Sequence, residues 1–142
     1  MVAYIAIDDN NGMLFNNRRQ SQDRLMRENL LAHCGTSKLW ITEYSKKLFL
    51  SQEDGNLPSN IMVDDDFWSK AESSDHCFVE KDNLSQWMDK LDTLVIYKWN
   101  RDYPADYFFD FSVIDDNWKR FSVNKFKGSS HDKITREVWK RG

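Results

Sequence analysis

Cysteine, proline and glycine are all scarce in this chain of 142 residues, which contains two, two and five of them. The isolated Cys34 and Cys77 exclude a disulfide framework and any Cys-x-x-Cys redox or zinc unit, so both are expected as small core residues with reduced thiols. So little proline and glycine leaves no low-complexity tract and no linker that could divide the chain, and residues 1–142 are expected to fold as a single domain. Histidine is equally sparse: His33, His76 and His131 are too far apart in sequence for a zinc cage to be drawn, and no metal site is expected. No apolar run approaches the ~20 residues that span a bilayer, and no basic segment with an apolar core opens the chain. The expectation is a cytoplasmic protein with no membrane partner. Neither sign of charge dominates. With 20 basic and 23 acidic residues the formal charge is −3, which supplies no drive toward nucleic acid or anionic lipid.

Bulky apolar residues are plentiful. Hydrophobic residues make up 40% of the chain, including 9 Phe, 6 Trp and 5 Tyr, enough to build a core without metal or disulfide support. Val2 to Ile7 is continuously apolar and breaks at Asp8-Asp9-Asn10-Asn11-Gly12, as a strand buried on both faces does at its end. After a polar loop over 16–20, Ser21 is expected to cap a helix over 22–34, with Asp23 in its first turn, Leu25, Met26, Leu30 and Leu31 as its apolar stripe and Gly35 as its stop. Short strands are expected at 39–41, 61–63, 77–79 and 93–99, with helices near 45–50 and 84–91. Phe121/Val123 and Ile134/Arg136/Val138 alternate as paired antiparallel strands do.

The order of these elements, with Tyr4-Ile5-Ala6-Ile7-Asp8, Asn11-Gly12, Asp23, Leu57-Pro58, Leu94-Val95-Ile96-Tyr97, Ala105 to Phe109, Trp118 and Lys133 to Trp139, resembles dihydrofolate reductase over nearly the whole chain. The resemblance implies an α/β three-layer sandwich: a mostly parallel twisted sheet, helices on both faces and an antiparallel C-terminal hairpin. It also implies a catalytic carboxylate at Asp23.

Departures from the family fall where it contacts ligands. Its Gly-Arg-x-Thr phosphate run corresponds here to Thr42-Glu43-Tyr44-Ser45, which keeps only the Ser45 hydroxyl. Asp64-Asp65-Asp66 stands where a ribose phosphate would be held, and Glu80-Lys81 replaces a glycine pair that lets backbone approach a pyrophosphate. Tyr97 takes the place of a folate-facing threonine, and no arginine for the folate tail lies between Pro58 and Asn60. The chain therefore reads as a divergent dihydrofolate-reductase-like protein without nicotinamide and folate sites, and no cofactor is expected.

Arg18, Arg19, Gln20 and Ser21, just ahead of Asp23, combine guanidinium, amide and hydroxyl donors suited to a small anionic ligand. Two alternatives stand beside that reading. One is a hydrolase or nuclease acting on a phosphoester, with Asp23 as base. The other is a structural or partner-binding protein whose cleft its own side chains fill. The run from Phe15 to Asp23 also resembles short chains of Gram-positive bacteria labelled ribonuclease Z, but the His-x-His-x-Asp-His cluster that such an enzyme needs for two zinc ions is missing.

Overall fold

The chain runs β1 (Val2–Ile7), β2 (Gly12–Phe15), β3 (Arg18–Arg19), helix α1 (Arg24–Cys34), β4 (Leu39–Ile41), helix α2 (Lys46–Phe49), β5 (Ile61–Val63), β6 (His76–Phe78), β7 (Thr93–Lys98), β8 (Tyr107–Phe108), β9 (Trp118–Phe126) and β10 (Ile134–Arg141). This is a computed structural model, and it describes all of residues 1–142. The continuously apolar β1 lies inside a seven-stranded sheet of order β5-β4-β6-β1-β7-β10-β9. Strands β5, β4, β6, β1 and β7 are parallel, while β10 runs antiparallel to β7 and β9 antiparallel to β10. The result is the mostly parallel α/β sheet with a C-terminal hairpin that the order of elements implied.

Each face of the sheet carries its own core. Tyr4, Leu39, Ile41, Val95, Tyr97 and Ile134 pack against Met26, Leu30 and Cys34 of α1 and Phe49 of α2. On the other face Ala3, Ile5, Ile7, Leu94 and Ile96 meet Met13, Phe67, Leu84 and Met88. That second face is covered by 3-10 turns at Phe67–Ser69, Leu84–Lys90 and Phe111–Val113 and by a three-stranded sheet of order β3-β2-β8. The segment near 84–91, expected as a helix, is one of these turns. Its hydrogen bonds run only three residues back, as from the Gln86 amide to Asn83 O and the Leu91 amide to Met88 O, and Trp87 pins it by stacking on Trp68 at 5.1 Å.

Two other expectations shift. Residues 16–20 contain a hairpin rather than a loop: Asn16 and Asn17 turn with φ of 51° and 61°, the left-handed pair a two-residue hairpin needs, and asparagine tolerates it better than other side chains. Helix α1 is capped by Asp23, not Ser21, because the Asp23 Oδ1 accepts from the Met26 amide at 3.1 Å. Gly35, at φ 63°, ends the helix as expected. Phe121 and Val123 do lie on a paired strand, but β9 is the sheet's edge, and most of its nine residues face solvent, including both of these. No helix is long and apolar enough to cross a membrane.

Candidate functional site

Parallel sheets present the carboxyl ends of their strands as a natural crevice, and the start of α1 closes over that end here. The crevice is lined by Ala6 of β1, Phe78 and Val79 at the end of β6, Trp99 just past β7, residues 19–23 and Met26. Its free volume is about 20 Å³, on a measure in which one water needs roughly 10–15 Å³, so it has room for one or two waters. The cleft is nearly filled by the protein itself.

Asp23 sits at its back, 2% exposed. Oδ1 accepts from the amides of Met26 (3.1 Å) and Ser129 (2.9 Å), and Oδ2 from the Ser130 amide (2.8 Å), the Ser130 hydroxyl (3.2 Å) and His131 Nδ1 (2.9 Å). Burial by itself would raise its pKa. The Ser129 amide, the His131 ring and the amides of Ser130 and Met26 together hold it well below the usual carboxylate range. The loop between β9 and β10 thus folds back onto the helix start, and Gly128 makes this approach feasible: a Cβ there would lie 2.4 Å from Asp23 Oδ2.

The two arginines do not converge. Neighbours on a strand point to opposite sides, and Arg18 is exposed with no ion pair, bordering an open outer groove that Phe15, Arg19, Gln20, Tyr103 and Pro104 also line. Arg19 turns inward and forms a two-pronged ion pair with Glu80, Nε to Oε2 at 2.8 Å and Nη2 to Oε1 at 3.0 Å. Its guanidinium also lies 4.3 Å from the centre of the Tyr44 ring, with Lys81 Nζ 3.7 Å from the same ring. The buried Ser45 hydroxyl donates to Glu80 Oε1 at 2.6 Å. The stretches 42–45 and 80–81, singled out in the sequence, therefore meet and satisfy one another. Gln20 lines the cleft and donates through Nε2 to Asp8 Oδ2 (2.9 Å) and Pro104 O (3.2 Å), while its Oε1 is buried without a partner. Ser21 is half-buried at the rim, its hydroxyl 3.1 Å from His131 Nε2.

No protein-family profile and no curated protein sequence matches the chain. A solved structure does: dihydrofolate reductase from Enterococcus faecalis, in complex with NADP(H) and RAB-propyl, superposes with a TM-score of 0.65 over 99% of this chain and 95% of that one, at 10% identity. The fold is dihydrofolate-reductase-like. At that identity the likeness concerns the fold alone.

Within this dihydrofolate-reductase-like fold, one sequence assignment needs correction. Tyr97 is buried under α1, where its hydroxyl donates to Asn29 Oδ1 at 2.8 Å, and Trp99, two residues on, lines the cleft instead. Asp64 to Asp66 form a turn: Asp64 pairs with Lys70, and Asp65 accepts from the Glu43 amide at 2.9 Å. No group of three or more His, Cys, Asp or Glu side chains is arranged to hold a metal ion. Burial raises both thiols, that of Cys34 to about 11, so neither is a thiolate near neutral pH.

His131 and Tyr103 are the residues that sequence reasoning missed. Both meet the Ser21 hydroxyl from segments distant in the chain, behind the cleft lining, with the His131 ring stacked on Trp99 at 4.6 Å and its Nε2 2.9 Å from the Tyr103 hydroxyl. A histidine after Gly128-Ser129-Ser130 carried only a weak local signal, the glycine.

Proposed function

We propose that this divergent dihydrofolate-reductase-like protein, acting as one domain over residues 1–142, holds neither a nicotinamide cofactor nor folate, and that its residual cleft takes a small anion at Arg19. The observation that carries this reading is the Arg19–Glu80 pair inside the cleft. Glu80 supplies the carboxylate that a guanidinium there is shaped to hold, so a ligand must be small and must compete with it. Gln20 Oε1, buried and unpaired beside it, awaits a donor such as a water or the hydroxyl of a protonated ligand. Negative charge from Glu80 opposes a pyrophosphate, and the narrow cleft opposes a flat bicyclic ring.

The test is Glu80→Gln. Removing the internal carboxylate frees Arg19, and acetate or inorganic phosphate should then raise the melting temperature of the variant more than that of the wild type. A ligand at ten times its Kd contributes about 1.4 kcal/mol. Chloride at the same ionic strength controls for screening. An identical response to all three salts, or a response that survives Arg19→Gln in the same background, contradicts the assignment.

The reading of a cleft filled by the protein's own side chains is favoured by one specific observation, the free volume of about 20 Å³. It differs in predicting no anion-specific response from either protein.

A further inference from the structure

The hydrogen bonds on either side of His131 run in a defined order. The carboxylate of Asp23 is held ionised and can only accept, so His131 Nδ1, 2.9 Å from Oδ2, carries the ring proton. Nε2 is then left with its lone pair, facing the Ser21 hydroxyl at 3.1 Å and the Tyr103 hydroxyl at 2.9 Å. The imidazole cannot swing away: its side chain is 1% exposed and lies against the Trp99 ring with 21° between the planes. Ser21, in contrast, is half-buried and lines the cleft. A buried carboxylate, a locked imidazole and a reachable hydroxyl in that sequence are the arrangement that turns a serine into a nucleophile.

We propose that Ser21 is the nucleophile of a site that hydrolyses short-chain acyl esters, with His131 as general base and Asp23 as the positioning residue. This goes beyond anion binding and makes no use of Arg19. Ser21 Oγ forms a bond to the ester carbonyl carbon while its proton passes to His131 Nε2. The carbonyl electrons move onto oxygen. Gln22 and Asp23 follow the nucleophile and line the same cleft, and their backbone N–H groups, which donate to no acceptor, are the ones this proposal assigns to that oxyanion. The bond to the alcohol oxygen then breaks, that oxygen takes the proton from Nε2, and Ser21 is left acylated. Water attacks the acyl carbon, gives its proton to Nε2, and the carboxylic acid leaves as Ser21 Oγ recovers the proton. No redox partner or metal enters. With about 20 Å³ free, the cleft takes no more than the methyl end of an acetyl group and leaves the rest of the ester at the rim. A relay that served only to tie the β9–β10 loop to α1 would need Asp23 and His131, but not the contact with Ser21.

The test uses the intact protein, p-nitrophenyl acetate as substrate and a fluorophosphonate as covalent trap. The expected result is one adduct, mapped by peptide mass to Ser21, with hydrolysis blocked in proportion to labelling. Ser21→Ala should keep the wild-type melting temperature, take no label and lose at least about a hundredfold of turnover, the lower end of what general base catalysis supplies. The octanoyl ester should turn over at least about tenfold more slowly than the acetyl ester. His131→Gln, if folded, should also resist labelling; if it unfolds, Ser21→Ala decides alone. Failure of the folded wild type to label at Ser21, or hydrolysis by Ser21→Ala at the wild-type rate, overturns the proposal.

Discussion

Asp23 shows how a single residue can be placed from sequence and still be only half understood. Its position at the start of α1 was legible, because a carboxylate just ahead of an apolar helical stripe suits the helix start, but the cap was expected at Ser21 and is Asp23. What it holds was not legible, since Ser129, Ser130 and His131 lie more than a hundred positions away and no local pattern announces them. The structural consequence can be measured. Asp23→Asn places an amide NH2 among groups that donate, and should cost about 2–4 kcal/mol, read as a lower urea midpoint. The pH dependence has a fixed sign. The folded-state pKa lies below the unfolded value of about 3.9, so the stabilisation is complete above that pH and is lost as pH falls toward the folded value. Asp8 and Asp75 act in the same direction: burial opposes ionisation in each, but the amides of Gly12, Asn10 and Tyr103 around Asp8, and the Glu72 amide and Trp40 ring at Asp75, outweigh it. Wild-type stability should start to fall at about pH 5 and fall most steeply below about pH 4, and less steeply in Asp23→Asn. Equal slopes in the two proteins would mean that Asp23 is not the group held low.

At the scale of elements, the long apolar strands and α1 were readable because each buries a continuous or periodic apolar set, while the short pieces were not. Strands β2 and β3 offer few residues to pattern analysis, and the signal that joins them is the Asn16–Asn17 turn itself. That hairpin matters to the site, because it sends Arg18 outward and Arg19 into the cleft. A turn with two left-handed residues tolerates Asn but prefers Gly at its second position. Asn17→Gly should therefore raise stability by a few tenths of a kcal/mol up to about 1 kcal/mol, measured as the melting temperature. A loss of stability would indicate that the Asn17 side chain has a role beyond the turn. The edge strand β9 pairs with β10 as its alternation implied, and that alternating apolar face, Phe121 and Val123, is exposed to solvent.

For the whole molecule, collinear order proved more informative than any one motif: the dihydrofolate-reductase-like fold was readable from the sequence although a solved enzyme of that fold is only 10% identical. Fold and site come apart because topology needs only apolar periodicity, whereas a ligand site needs particular side chains at particular points. Here the side chains of Arg19, Ser45 and Glu80 satisfy each other. Ser45 and Arg19 both bind Glu80, and Tyr44 lies between two cations. The direct measurement is a calorimetric titration of NADPH into the wild-type protein. With Glu80 turned inward and little free volume, no binding heat should appear at micromolar concentrations. A Kd in the low micromolar range or tighter, corresponding to about −8 kcal/mol, would contradict the proposal that this protein holds no nicotinamide cofactor.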